Sequence, residues 1–287
     1  MEKAMGTLRE RARQLKEKRP GYGAVLDFYV LVRESQATSK ASVRVGPVKV
    51  KKDGKGLQLE EGLSLVEKVD LPIDMEASID LFRSMCRLGS AANSHIATQV
   101  EKIDQALLDC TINLKSLLGG SWKEESIEQV AADRGFDARV LSFLVQSSTR
   151  PSIEAGMEQL RSEVDAETWL KSHCPVCGSL PSLNLLKGEG GKRYSLCSYC
   201  GYQWRIDRLS CSVCSNKEQG SLKYFYGEGE EAYRIDLCDK CHHYIKTIDC
   251  RNLEESDPSL EDLATLHLDV LAAQKGYERS VPNPWTA

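Results

Sequence analysis

Four cysteine pairs, Cys174-Pro-Val-Cys177, Cys197-Ser-Tyr-Cys200, Cys211-Ser-Val-Cys214 and Cys238-Asp-Lys-Cys241, decide the fold of this 287-residue chain. Two Cys-x-x-Cys pairs with a hairpin-sized insert between them form the donor set of a tetrathiolate metal site, so four pairs read as two sites. The inserts 178–196 and 215–237 each suit a β-hairpin, whereas 201–210 is shorter and reads as a connector. Cys174, Cys177, Cys197 and Cys200 are therefore assigned to one metal, and Cys211, Cys214, Cys238 and Cys241 to a second. The inserts also resemble each other. Ser182-Leu-Asn-Leu-Leu-Lys-Gly-Glu-Gly-Gly and Ser221-Leu-Lys-Tyr-Phe-Tyr-Gly-Glu-Gly-Glu each lead into a strand that ends on a knuckle, an internal repeat of one ribbon unit.

Both ribbons alternate apolar and polar residues about a glycine-rich turn, as a hairpin requires. A unit of about 45 residues buries too little surface to stand alone, so the metal is expected to act as its core. Sulfurs in such knuckles accept hydrogen bonds from nearby backbone N–H groups, which favours a left-handed residue after the second cysteine. Gly178 and Gly201 suit that position. Ser215 and His242 suit it less well, which makes the second site the looser one. Four thiolates outweigh the charge of the metal, and Lys171, Arg193, Arg205, Arg208 and Lys240 stand near enough in sequence to offset it.

A disulfide framework needs export, but Met1 to Pro20 is basic without the apolar core of a secretory signal, and no run is long enough to span a membrane. A thioredoxin-like pair needs a βαβ pattern, which is absent. Eleven cysteines in such a chain point to a reducing compartment, where thiols stay available for metal.

Before the ribbons, helical patterns dominate. Gly6 to Arg19 reads as a solvated first helix ended by Pro20-Gly21. Tyr22 to Gln36 carries Val25, Phe28, Tyr29 and Val32 on one face. Residues 38–62 read as loop with a short strand at Val43 to Val50, and the run Lys51-Lys-Asp-Gly-Lys-Gly lacks the spacing of a P-loop. Leu71-Pro-Ile-Asp introduces a helix over Met75 to Ala91. Ile96, Val100, Ile103, Leu107, Cys110, Leu114 and Leu117 then form one continuous stripe, which makes Cys110, like Cys86, a packing residue. Gly119-Gly120 ends that helix and Ser121 caps the next. Helices are expected over Trp122 to Arg134, Asp137 to Ser148 and Pro151 to Ser172.

After the ribbons, Asp257 and Pro258 open a last helix with Leu260, Leu263, Leu266, Val270 and Leu271 as its core. Both sites already have four cysteines, so Cys250 is surplus and His267 is a hydrogen-bonded core histidine. His95 near a helix start reads as a capping or surface group, and no His-Cys-Asp or Ser-His constellation appears, so no catalytic residue is assigned. The expected architecture is α+β: a helical scaffold domain over 1–168, a first rubredoxin-like or zinc-ribbon module over 169–208, and a second over 209–287 with a C-terminal helix.

Cys174-Pro-Val-Cys-Gly-Ser-Leu-Pro, then Arg193-Tyr-Ser-Leu-Cys-Ser-Tyr-Cys with Trp204, then Cys238-Asp-Lys-Cys-His-His-Tyr-Ile-Lys-Thr-Ile-Asp resemble the bacterial formate dehydrogenase accessory protein family, the FdhE type. Asp262-Leu-Ala-Thr-Leu-His-Leu-Asp, Gly276-Tyr277 and Asn283-Pro284 continue the likeness. It covers about 174 to 285 and is only general before that. The resemblance implies a cytoplasmic, non-enzymatic assembly factor. It implies that iron occupies the two modules and that the partner is the catalytic subunit of respiratory formate dehydrogenase. Tetrathiolate geometry itself suits zinc as well as iron.

Two other classes compete. A zinc-ribbon nucleic-acid binder has Tyr194, Trp204, Tyr224 and Tyr226 to offer, but Glu189, Glu228, Glu230 and Glu231 load the hairpin tips with acid, and the net charge of −4 supplies no attraction to phosphate. A rubredoxin-like electron carrier needs no large helical domain beside it.

Overall fold

Leu8, Ala12 and Leu15 give the highly charged first helix, α1 (Glu2–Lys18), a narrow apolar stripe. They are buried against Leu26 and Tyr29 of α2 (Gly23–Ser42) and against Leu260, Leu263 and Ala264 near the C-terminus, so α1 is not a solvated helix. Its charges occupy the other faces. The computed structural model describes residues 2–50, 59–121, 123–253, 257–283 and 285. The lysine-rich run 51–56 lies outside them.

The expected strand at 43–50 does not form. Side chains satisfy its backbone instead: Asp74 accepts from Arg44 N–H and Gln159 from Val48 N–H. Asp74 also caps α3 (Met75–Ala92) by accepting from Ala77 N–H. The long stripe after it breaks into α4 (Ser94–Leu108) and α5 (Leu114–Gly119). Cys110 adopts a left-handed φ of 54°, Thr111 N–H turns back to Ala106 O at 2.9 Å, and Asn113 caps α5 through Ser116 N–H. Cys110 is consequently exposed and not a packing residue, whereas Cys86 is buried in the helical core as expected. Ser121 is not a cap either: it is buried, and α6 (Glu124–Arg134) opens from Lys123 without a side-chain cap.

The two helices expected on either side of Pro151 are one, α7 (Ala138–Leu160), capped by Asp137. Pro151 has no N–H to give to Ser147 O, four residues earlier. The buried amide of Gln36, on α2, donates to that carbonyl at 2.9 Å and removes the penalty that would otherwise end the helix. Gln36→Leu should cost about 1–3 kcal/mol in urea unfolding. Pro151→Ala, which restores the missing donor, should shrink that cost; an unchanged cost in the double variant would refute the compensation. After Leu160 and a single 3-10 turn the chain is irregular, so the helix expected to reach Ser172 stops early.

The strands are β1 (Pro181–Lys187), β2 (Lys192–Cys197), β3 (Gln203–Arg205), β4 (Leu222–Tyr226), β5 (Tyr233–Cys238), β6 (His243–Asp249) and β7 (Glu278–Arg279). Each ribbon contributes a hairpin and a third strand after its second knuckle. The two triplets lie side by side in one sheet, ordered β3-β2-β1-β6-β5-β4, with β7 beside β6. Parallel pairing of β1 with β6, Asn184 opposite Thr247, fuses the ribbons.

Asp257 caps α8 (Pro258–Leu263) through Ser259 and Leu260 N–H, as the sequence predicts. The last helix then breaks, and α9 (Leu266–Gln274) buries Leu268 and Ala272, while Val270 and Leu271 face solvent. His267 hydrogen-bonds Tyr22 and Glu230, its side chain being partly exposed. Trp285 returns to the helical half and packs edge-on against Tyr29 and Phe143 at 4.7 and 5.1 Å. The architecture is α+β, with helices first, two cysteine clusters in the sheet region and helices last. None of the described helices is long and apolar enough to cross a membrane.

Candidate metal centres

The chain brings its eight paired cysteines into two groups, Cys174, Cys177, Cys197, Cys200 and Cys211, Cys214, Cys238, Cys241, with the sulfurs of each group within 4.8 Å of one another. In the first, Cys174–Cys200, Cys177–Cys197 and Cys177–Cys200 are 3.7, 3.5 and 3.6 Å apart. In the second, Cys211–Cys241 and Cys214–Cys238 are both 3.8 Å apart. A metal–sulfur bond of about 2.3 Å gives a tetrahedral edge of about 3.8 Å, so the donor set fits a tetrathiolate ion. A closed shell of this kind leaves no position for a substrate.

The knuckles are shaped as their spacing demands. Gly178, Gly201, Ser215 and His242 all take positive φ, from 56° to 75°. In the first, third and fourth knuckles that residue donates its N–H to the carbonyl of the leading cysteine. Backbone N–H groups of Cys200, Val213 and Cys214 point at sulfur, as does the amide of Asn216, at 3.7 Å from Cys238, and Cys177 Sγ lies 3.4 Å from Ser179 Oγ. Burial pushes the Cys174 thiol well above its ordinary value, while hydrogen bonds from Cys174, Cys197 and Cys200 pull Cys177 well below. Deprotonating all four takes a cation at the centre.

The two groups differ in their surroundings. All four sulfurs of the first are buried in a cluster shared with Leu71, Ile153, Met157 and Leu160 of the helical half. Leu65 and Val66 add N–H bonds to the carbonyls of Pro175 and Val176, at 2.8 and 3.0 Å, along the first knuckle. In the second group Cys214 is exposed and Cys241 partly so.

Of the five cations expected to offset thiolate charge, only Arg193 is buried. Its guanidinium donates to Ser210 O, next to Cys211, and lies 3.7 Å from Asp236. Arg205 pairs with Glu167, Arg208 reaches Gly190 O, and Lys171 and Lys240 are exposed. The sequence reading missed Arg150 of α7, whose guanidinium lies against Gly201 beside Cys200. Nothing local marks it, since it comes from the helical half. Cys86, Cys110 and Cys250 lie outside both groups.

Residues 173–208 match the domain described as "FdhE, central domain", and residues 209–286 match "FdhE, C-terminal domain". Over residues 173–286 the chain carries the domain pair of the FdhE family. Among its relatives, the FdhE homolog of Aquifex aeolicus is 33% identical over 160 residues, 54% of this chain and 56% of that protein. FdhE of Escherichia coli is 36% identical over 122 residues, 40% of this chain and 38% of that one. The chain thus aligns with about half the length, or less, of these curated relatives. The crystal structure of FdhE from Pseudomonas aeruginosa shares the fold, with a TM-score of 0.72 at 22% identity over 98% of this chain and 94% of that one.

Proposed function

We propose that this chain is a non-enzymatic maturation factor for formate dehydrogenase, and that it binds the catalytic subunit of that enzyme in the cytoplasm. On this reading each cysteine group holds one tetrathiolate ion, iron or zinc. The chain divides into a helical scaffold over 1–168 and modules over 169–208 and 209–287. The observation that carries the proposal is the pair of closed four-sulfur groups built from the two matched FdhE domains. Such a site shapes a surface and leaves chemistry to the client. Trp204 is fully buried, so its ring does not serve a nucleic-acid surface.

In the source organism, deletion of the gene should lower formate dehydrogenase activity severalfold while the catalytic subunit is still made. Cysteine variants of either group should fail to restore it, and the subunit should co-purify with the wild-type protein. Full activity after deletion, or tight binding of nucleic acid at physiological salt with no affinity for the subunit, would refute the assignment.

A further inference from the structure

The seven-stranded sheet has two ends, and they are finished differently. At the β3 end, Arg205 donates its outward N–H to Ala166 O at 2.7 Å, so the segment following the helical half covers that edge. At the other end stands β4, over Leu222–Tyr226, with β5 on one side and, among the described residues, no strand on the other. Its pairing with β5 is unbroken from Leu222 opposite Cys238 to Tyr226 opposite Arg234, without a bulge or a proline. Open strand edges invite a further strand, and chains that do not use them are blunted by such devices.

The hydrogen-bond phase identifies the groups on offer. Asp239 N–H donates to Ser221 O at 2.9 Å, which makes Ser221 and Asp239 a hydrogen-bonded pair. Alternation along an antiparallel ladder then turns Lys223 and Phe225 toward β5, and turns the N–H and C=O groups of Tyr224 and Tyr226 outward, while Leu222 N–H is taken by Gln219 O. Tyr224 and Tyr226 are 62% and 42% exposed and stand on one face, their rings edge to face at 5.7 Å. Arg234 holds the Tyr224 ring from behind at 5.2 Å and is itself fixed by Asp236.

Charge selects the occupant. The cations on the tyrosine side of this edge are paired within the chain, Lys223 with Asp239, Arg234 with Asp236 and Arg251 with Asp249, while Lys275 lies 5.5 Å over the Phe225 ring, whose position alternates with the tyrosines. Glu218, just before β4, and Glu228 and Glu231, just after it, are exposed and make no ion pair among the described residues. Unbalanced negative charge therefore sits at both ends of an open edge whose middle presents two tyrosine rings. We propose that β4 takes up an extended, basic segment of the partner protein as an added strand, with backbone hydrogen bonds at Tyr224 and Tyr226, cationic side chains near the three glutamates, and the tyrosines as its floor. Because Leu222 pairs with Cys238, such a strand starts beside the second cysteine group. The identity of the partner rests on the function proposed above; the chemistry of the segment does not.

The test uses the full-length, metal-loaded protein and two fluorescein-labelled decapeptides, one alternating arginine with valine and one alternating glutamate with valine, read by fluorescence anisotropy. The arginine peptide should bind at least about tenfold more tightly, and the preference should shrink with added salt. Tyr224→Pro deletes an outward N–H without touching the ladder to β5, a position where an edge strand tolerates proline. It should bind about tenfold more weakly than Tyr224→Ala, which keeps the N–H. The exposed triple variant Glu218→Lys, Glu228→Lys, Glu231→Lys should invert the preference between the peptides and keeps the question decidable if Tyr224→Pro loses metal or structure. Equal binding of the two peptides, or equal binding by the Pro and Ala variants, overturns the proposal. So does a wild-type dimer that Tyr224→Pro converts to monomer, since a second copy then fills the edge. If the formate dehydrogenase subunit co-purifies equally with wild type and Tyr224→Pro, the edge falls and the maturation role stands. If the subunit never co-purifies while the peptides behave as expected, the client falls and the edge stands.

Discussion

Replacing Cys177 by serine is expected to remove one metal ion and to loosen the helical half, whereas Cys238→Ser removes one ion and leaves the helical half intact. Structural metal binding contributes on the order of 10–16 kcal/mol in small zinc modules, as much as the whole stability of an ordinary domain, so neither ribbon tolerates its loss. Where the damage stops depends on what each centre touches. The first lies in one apolar cluster with Leu65, Val66, Leu71, Ile153, Met157 and Leu160, and the segment at 65–66 is hydrogen-bonded to its knuckle. The second is backed by the connector and by the tail, where Tyr277 bonds Asp239 and Glu278 N–H donates to His242 O at 2.9 Å.

Elemental analysis should show each single variant one ion below wild type. Limited proteolysis of the Cys177 variant should cut within 59–75 and 153–172, and that of the Cys238 variant only within 209–253. Cys86, Cys110 and Cys250 provide the control. They lie outside both groups, so a variant with all three changed to alanine or valine should keep its full metal content. Metal lost from that variant, or a helical half equally disturbed in both single variants, would contradict this division of labour.

The cysteine pairing was readable because each knuckle is local and the hairpin length between knuckles sets which pair meets which. The left-handed residues at 178, 201, 215 and 242 and the cap at Asp257 follow from equally short-range rules. The errors share the opposite character. The apolar stripe runs on in phase across residues 109–113, so a period alone does not show that Thr111 and Asn113 close one helix and open the next. Pro151 reads as a boundary in the sequence because its remedy, Gln36, lies 111 residues from Ser147 in the chain. The parallel contact of β1 with β6 that fuses the ribbons leaves no mark in either strand. Lys246 of β6 is no more legible, since residues 244–248 are all buried and alternation does not single out its face.

That lysine is where the second large effect is expected. Lys246 is fully buried, and its ammonium lies 2.7 Å from both Asp262 and Asp269 while donating to the carbonyls of Asp262 and Thr265 at 3.0 and 3.1 Å. Arg279, on β7, binds the same two carboxylates at 2.7 and 2.9 Å, and Tyr244 donates to Asp269 at 2.9 Å. Two cations and two anions therefore balance in a buried cluster that ties the second ribbon to α8, α9 and the tail. Lys246→Met keeps the length of the side chain but strands one carboxylate charge and two carbonyls, a loss of about 3–5 kcal/mol. Urea unfolding should show it, together with easier proteolysis after residue 257. Acid should reproduce part of the effect in the wild-type protein. Burial acts to raise the Asp262 carboxyl, but Arg279 and Lys246 outweigh it and hold the group below its ordinary value of 3.8. A depressed carboxyl contributes fully above its unfolded value and loses that contribution as the pH falls through its lower folded value. Wild-type stability should thus drop below about pH 4 more steeply than that of Lys246→Met, in which one of the two cations holding Asp262 ionised is gone. Parallel acid profiles for the two proteins, or a Lys246→Met variant as stable as wild type, would show that the cluster contributes nothing net.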